Sequence, residues 1–151
     1  MSAARQSEYL LTLLCISRRT SGPVVAPINL RDALRAVDEF WSPRVVGRVN
    51  DQYVKVAKLK GELTWHKHEA EDEFFQVLKG RLRIQFEDHE VLLQEGECCV
   101  VPKGMMHNPV ADEECWIVLV ETVTTEHTGG VATASTRSIE EQLRPLPAKA
   151  G

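Results

Sequence analysis

The chain has 151 residues, of which 43% are hydrophobic and 26% are charged, so it is long enough for one domain with a sizeable core and too short for two. The formal net charge is −4, and the basic residues are scattered along the chain, which argues against a nucleic-acid partner. The four cysteines form no CxxC pair or regular framework, which favours a reducing, cytoplasmic location. We therefore expect a small molecule as the partner.

Residues 1–28 are expected to form a flexible N-terminal extension. Within it, residues 9–16 resemble the short apolar core of a signal peptide, but Glu8 precedes this run and Thr12 interrupts it. The run is also far shorter than the roughly 20 apolar residues that a membrane span requires. We therefore expect neither a cleaved signal nor a membrane partner.

Residues 29–43 are predicted to form a short N-terminal helix, because apolar residues recur there at helical spacing. Those residues are Leu30, Ala33, Leu34, Val37, Phe40 and Trp41. Asn29 is suited to the N-cap, and Pro43 marks the end. We expect Phe40 and Trp41 to fill core rather than to stack on a ligand.

From residue 44 the apolar period changes to two, which predicts strands. The predicted strands cover residues 44–49, 53–59, 63–68, 73–78, 81–87, 90–95, 98–102 and 115–123. Turn residues separate these runs, and short strands at this spacing predict an all-β sandwich or barrel over residues 44–128. Residues 129–151 are expected to form a C-terminal extension that is partly disordered.

A set of metal-binding side chains lies in this β region. His66 and His68 are two residues apart, so on a strand both side chains leave the same face. A turn follows, and Glu73 begins the returning strand, so a hairpin can bring it opposite the two histidines. His107 is the strongest candidate for a fourth ligand, because it follows a strand and a Pro-Lys-Gly turn. Imidazole and carboxylate together suit one divalent transition metal such as Fe, Mn, Ni, Cu or Zn.

The acidic turn between the histidines and Glu73 offers alternative ligands. Glu69, Glu71 and Asp72 all lie within this turn, and Asp72 is the nearest competitor of Glu73. Acidic runs are more often solvated than metal-bound, and the spacing to Gly80 favours Glu73.

Other reactive side chains are interpreted more simply. His89 lies in a predicted hairpin turn and is expected at the surface, whereas His127 is a weak pocket candidate, since a C-terminal segment can fold back over a barrel mouth. Cys98 and Cys99 are adjacent on a strand and face opposite ways, so one is expected to face the interior as a small hydrophobe. Trp65 should point away from the two histidines.

Two stretches together resemble the paired motifs of the cupin superfamily, over about residues 47–128. The first motif reads G-x5-H-x-H-x3–4-E-x6-G, and the matching residues are Gly61, His66, Lys67, His68, Glu73 and Gly80. The second reads G-x5-P-x-G-x2-H-x3-N, and the matching residues are Gly96, Pro102, Gly104 and His107. Only four residues separate Gly61 from His66, and Ala111 replaces the closing Asn. Neither departure removes a ligand.

The resemblance implies an all-β fold, a double-stranded antiparallel β-helix or jelly-roll barrel, that binds one metal through His66, His68, Glu73 and His107. It implies a protein of small-molecule metabolism with a dioxygenase, isomerase or cyclase-like reaction. A non-catalytic cupin that binds or senses a small ligand is the alternative, because no catalytic acid–base pair stands out near the motifs. Small jelly rolls commonly bury an edge in a dimer, so a homodimer is expected.

Overall fold

A computed structural model describes residues 25–147; the signal-like run at residues 9–16 lies outside this range. The elements are α1 (Leu30–Arg35), β1 (Arg44–Val49), β2 (Gln52–Glu62), β3 (Glu73–Lys79), β4 (Arg81–Phe86), β5 (Glu90–Gln94), β6 (Cys98–Val101), β7 (His107–Thr122) and α2 (Ile139–Gln142). Neither helix in this range has the length and apolar character that crossing a bilayer demands.

All strand pairs are antiparallel, and strand β7 organises them. The order in the sheet is β1-β2-β7-β3-β6, while β4 pairs with both β5 and β7. Strand β7 pairs with β2 along most of its length, but its other edge changes partner: Val110 pairs with Arg83 of β4, and Leu119 pairs with Phe75 of β3. This change curls the sheet around one enclosed face. The predicted all-β jelly roll is therefore confirmed, with an open sheet and a short N-terminal helix.

The sheet separates two apolar cores. The inner core lies within the curled sheet and includes Ala57, Leu59 and Phe75. The outer core lies between the sheet and α1, and its buried members are Leu34, Val37, Val56, Trp116 and Val118. Period-two alternation along β2 and β7 explains the division, because successive side chains leave opposite faces of a strand.

The N-terminal helix is shorter than predicted. Asn29 caps it as expected, its side chain accepting the Asp32 backbone N–H at 3.0 Å, but the helix ends at Arg35 rather than at residue 43. Trp41 takes a positive φ of 57°, and its indole Nε1 donates to the Lys60 backbone oxygen at 2.8 Å. The inner core therefore captures Trp41 and breaks the helical repeat, and Trp41 is buried as predicted whereas Phe40 is 42% exposed.

Two strand predictions in the metal region were also wrong. Residues 63–68 form no strand; His66 and His107 instead form an isolated bridge, exchanging two backbone hydrogen bonds of 2.9 Å. Strand β7 begins at His107, not at residue 115. The charged stretch at residues 112–114 hides this early start, because its side chains are half-buried or exposed while its backbone continues the strand.

The chain after β7 folds back over the sheet. Thr125, His127 and Thr128 are buried, and Ser138 forms a capping box with Glu141 at the start of α2. Leu146 then packs against the outer core. The return of this segment places His127 next to the inner core, as the sequence suggested.

Candidate metal centre

Four buried side chains converge at one end of the inner core. They are His66, His68, Glu73 and His107, and their ligand atoms all lie within 4.8 Å of one another. Glu73 Oε2 lies 3.1 Å from His107 Nε2 and 3.3 Å from His68 Nε2. The sequence-predicted set is therefore brought together, although His66 and His68 come from a bridged loop rather than from a strand.

Backbone carbonyls orient two of the imidazoles. His66 Nδ1 lies 2.9 Å from the Thr64 oxygen, and His107 Nδ1 lies 2.9 Å from the Met105 oxygen. A carbonyl can only accept a hydrogen bond, so each Nδ1 carries the proton. The Nε2 of His66 is then a lone pair facing the cluster, which is the usual arrangement of a metal-binding histidine, whereas the Nε2 of His107 lies against the Glu73 carboxylate.

The cluster contains polar atoms without partners. The Nε2 atoms of His66 and His68 are buried, and neither makes a hydrogen bond within residues 25–147. Burying such a group unpaired costs about 1–3 kcal/mol. A divalent cation at the centre would accept these lone pairs, so the donor set fits such an ion.

The charge states of the ligands also suit a cation. Burial lowers the pKa of His66 to about 4, and the neighbouring histidines add to this effect, so its ring is neutral near pH 7. Burial opposes ionisation of Glu73, but the neighbouring imidazoles of His107 and His68 outweigh it and hold the pKa of Glu73 below its usual range. Burial likewise opposes protonation of His68, but the Glu73 carboxylate outweighs it and raises the pKa of His68. A metal and a proton therefore compete for His68.

The alternative ligands lie outside the cluster. Asp72 is exposed and accepts the Lys103 backbone N–H at 2.9 Å. Glu69 pairs with Lys67 at the surface, with 2.7 Å between Oε1 and Nζ. Glu71 accepts the Ala70 backbone N–H within the same turn. The acidic turn is thus solvated, and Glu73 alone of these carboxylates faces inward.

The remaining predictions for single residues are confirmed. His89 is exposed and pairs with Asp88, and Trp65 is 44% exposed while its two histidine neighbours are buried. Cys98 is exposed, whereas Cys99 packs against the inner core, where burial raises the pKa of its thiol to about 11. A thiol with such a pKa behaves as a small hydrophobe.

Sequence reasoning missed a buried ion pair beside the cluster. Lys55 Nζ donates to Glu121 Oε2 at 2.6 Å, and both side chains are fully buried. The signal was present in the alternation of each strand. Lys55 occupies the same phase of β2 as Ala57 and Leu59, which face the inner core, and Glu121 occupies the inward phase of β7.

A small cavity connects Glu121 to the cluster. Its polar lining consists of Glu73, Glu121 and His127, and its walls include Trp41 and Phe75. The volume is about 20 Å³, enough for about one water molecule.

The pKa values of Glu121 and His127 in this cavity are shifted in opposite directions. Burial raises the pKa of Glu121 to about 7, with a further contribution from Glu73, although Lys55 opposes the rise. Burial lowers the pKa of His127 to about 4, and Lys55 adds to this effect. The His127 ring is therefore neutral, and its Nε2 accepts the Arg137 backbone N–H at 2.8 Å.

An open groove of about 260 Å³ reaches the cluster from solvent on the His68 side. The acidic turn forms one bank, and the segment carrying Glu126 and Gly129 forms the other. Gly129 contacts the cluster directly, because a Cβ at this position would lie 2.3 Å from the Lys67 oxygen and 3.2 Å from His66 Cδ2. The C-terminal segment thus closes the barrel over His66 and leaves His68 beside the groove.

Comparisons with known proteins agree with this fold. The sequence model of the family described as the cupin domain matches residues 53–121 of this chain. A crystal structure of a cupin-2 domain containing protein from Shewanella frigidimarina is 44% identical, with a TM-score of 0.62, covering 63% of this chain and 93% of that chain. The structure of protein NMB1881 from Neisseria meningitidis is 33% identical, with a TM-score of 0.59, covering 64% and 99%. The uncharacterized protein YdbB of Bacillus subtilis is 41% identical over 80 residues, which are 52% of this chain and 71% of that protein.

Proposed function

Since this chain belongs to the cupin superfamily, we propose that it is a metal-dependent enzyme that acts on a small, oxygen-bearing molecule. The observation that carries the proposal is the buried four-ligand cluster with its two unpartnered Nε2 atoms. His66, His68, Glu73 and His107 hold one divalent transition metal, drawn from Fe, Mn, Ni, Cu and Zn. When bound, such an ion polarises substrate oxygens as a Lewis acid.

The surrounding residues bind and orient the substrate. The apolar walls formed by residues such as Trp41 and Phe75 keep bulk solvent out of the cavity, which strengthens each electrostatic interaction there. Glu121 lies next to the cluster and provides the carboxyl group that accepts or returns a proton, and Lys55 holds that carboxyl in place. An enediol, a β-dicarbonyl or a catechol has the pair of oxygens that such a site recognises, and an oxygenase, isomerase or cyclase-like reaction follows from that chemistry.

The second candidate is a non-catalytic cupin that binds or senses a small ligand. The size of the cavity favours this alternative, because about 20 Å³ leaves room for little more than one water molecule beyond the ligands. A ligand would then approach through the outer groove and contact the metal without entering the barrel.

Turnover assays separate these functions. Protein loaded in turn with Fe(II), Mn(II) and Ni(II) is incubated with dicarbonyls, catechols and sugar phosphates, while oxygen uptake and products are followed. The proposal expects conversion by wild-type protein and none by His66→Ala, with His89→Ala as the active surface control. Tight binding without conversion across the panel would favour the sensing function instead.

Location and assembly belong to the proposal as well. We place the protein in the cytoplasm, in keeping with its irregularly spaced cysteines. A homodimer would cover the outer edge of β1, which ends the strand order of the described sheet. Sedimentation analysis tests the dimer, and a monomer at micromolar concentration would exclude it.

A further inference from the structure

The ion pair of Lys55 and Glu121 is expensive to bury. Both side chains are fully buried beside the ligand cluster, and hydrophobic side chains of similar volume would serve packing equally well or better. The register between β2 and β7 is already specified by a long ladder of pairs, from Gln52 with Thr122 to Glu62 with Val110. A charged pair in this position therefore points to a ligand rather than to the fold.

Only one oxygen of the Glu121 carboxylate accepts a hydrogen bond from a described residue. Oε2 accepts the hydrogen bond from Lys55, whereas Oε1 is buried and makes no hydrogen bond within residues 25–147. Glu121 lines the cavity and Lys55 does not. The carboxylate thus contacts the lysine on one side and the cavity on the other, where Oε1 can accept a hydrogen bond and the Glu73 carboxyl is its neighbour.

The size and lining of the cavity restrict which group can donate a hydrogen bond to Glu121 Oε1. His127 Nε2 is already engaged by the Arg137 backbone, so it offers the cavity no acceptor. The remaining walls are apolar apart from Glu73, and the volume of about 20 Å³ admits one oxygen atom. A hydroxyl group is the substituent of that size that donates a hydrogen bond.

We propose that Glu121 is a specificity-determining residue that accepts a hydrogen bond from a hydroxyl group of the ligand held at the metal cluster. The ligand class is therefore a small molecule with a free hydroxyl beside a second metal-binding oxygen, as in 2-hydroxy acids, enediols and catechols. Lys55 is a positioning residue, because it fixes the carboxylate and balances its charge. This inference rests on the proposed metal site and adds the selection of the ligand to it.

The test compares two probes that bind metals through the same pair of oxygens. Glycolate carries a hydroxyl proton, and methoxyacetate carries a methyl group in its place. Both are titrated into the Ni(II)-loaded protein, and their affinity ratio is compared with that of aqueous Ni(II). In wild-type protein the affinity for glycolate relative to methoxyacetate should exceed the ratio for aqueous Ni(II) by about tenfold or more, because a hydrogen bond to a charged group contributes about 1.5–3 kcal/mol.

The double variant Lys55→Met with Glu121→Leu should bind one Ni(II) but return to the aqueous ratio. The single variant Glu121→Gln gives a second measurement, since Lys55 holds the amide oxygen and turns the NH₂ group toward the cavity, which also removes the preference. Glu126→Gln is the matched control, because it removes a carboxylate from the outer groove and should keep the wild-type ratio.

The outcomes distinguish this inference from the metal site. Wild-type protein that binds Ni(II) but shows only the aqueous ratio would overturn the role of Glu121 and leave the metal site standing. A wild-type preference that persists in Glu121→Gln and in the double variant would also overturn it. Wild-type protein that takes up no Ni(II) would overturn both proposals.

Discussion

The inner and outer cores of this protein differ in what they bury. The outer core, between α1 and the sheet, is built from apolar side chains such as Leu34 and Val118. The inner core holds the ligand cluster and the Lys55–Glu121 pair alongside its apolar residues. Polar groups buried without full pairing cost stability, so the presence of His66, His68 and Glu121 beside the inner core indicates where the fold accommodates chemistry.

The outer core allows the fold to carry an unfavourable site in the inner core. Apolar burial stabilises by about 25 cal/mol per Å² wherever it occurs, and the outer core contributes it without polar penalties among its own members. The inner core is then free to hold lone pairs and charges whose partners are absent from the protein itself. The two cores should therefore respond differently to substitution, in stability on one side and in binding on the other.

Breaking the ion pair from one side should have the largest effect on stability. Lys55→Met leaves Glu121 buried and uncompensated, and the expected loss in the free energy of unfolding is about 3–5 kcal/mol. Burial raises the pKa of Glu121 in the folded state above its value in the unfolded state. The folded protein therefore tolerates the protonated carboxyl at a pH below the unfolded-state pKa, and it loses stability as the pH rises and the carboxyl ionises. Denaturation at pH 5 and pH 8 should therefore show the larger loss at pH 8.

The double variant Lys55→Met with Glu121→Leu is the control for that loss. It removes both charges and should recover wild-type stability or exceed it. A double variant as unstable as Lys55→Met would mean that packing around these residues, rather than charge, sets the cost.

Truncation in the outer core should cost stability alone. Leu34 is fully buried there, and Leu34→Ala is expected to lose about 2–5 kcal/mol in chemical denaturation because a cavity remains. Metal affinity of the folded protein should stay unchanged. A parallel fall in metal affinity would show that the two cores are coupled through the sheet.

Removal of a ligand should give the converse result. His107→Ala is expected to weaken metal binding by more than about hundredfold, since loss of a mere outer-shell partner already costs 10–100-fold. His89→Ala, which removes an exposed histidine, should leave the affinity at the wild-type value. Competition titration with a chromophoric chelator measures both, and equal effects would remove His107 from the ligand set.

The smallest effect is expected where the C-terminal segment meets the cluster. Gly129 has a φ of +57°, and a Cβ there would press on the Lys67 backbone, so Gly129→Ala should displace the segment and weaken metal binding by about tenfold. Gly96→Ala is the matched control, because Gly96 also has a positive φ but has open space around its Cα. It should carry the cost of the left-handed backbone without any change in metal affinity.

Much of the ligand cluster was predictable from local sequence. The spacing of His66, His68 and Glu73 restricts which side chains can meet across one turn, and His107 follows from the second motif. The ligands converge even though residues 63–68 are not a strand, because the backbone bridge between His66 and His107 fixes their approach. The types and spacing of the side chains thus identified the cluster even though the secondary structure predicted for residues 63–68 was wrong.

The rest depended on tertiary contacts. Trp41 continues the helical repeat in sequence, yet its indole is drawn into the inner core and the helix stops at Arg35. Lys55 and Glu121 are separated by 66 positions, so only the pairing of β2 with β7 joins them. The alternation in each strand predicts that Lys55 and Glu121 face inward. It does not predict that they form a pair, which is what allows the lysine to be buried.

The metal content of the purified protein shows whether the four-ligand cluster binds an ion. Protein purified without added metal, then equilibrated with excess Ni(II) and desalted, is measured by elemental analysis beside the double variant His66→Ala with His68→Ala. We expect about one metal ion per wild-type chain and none in the variant. A stably folded wild-type protein that retains no metal, or a variant that retains as much as wild type, would contradict it.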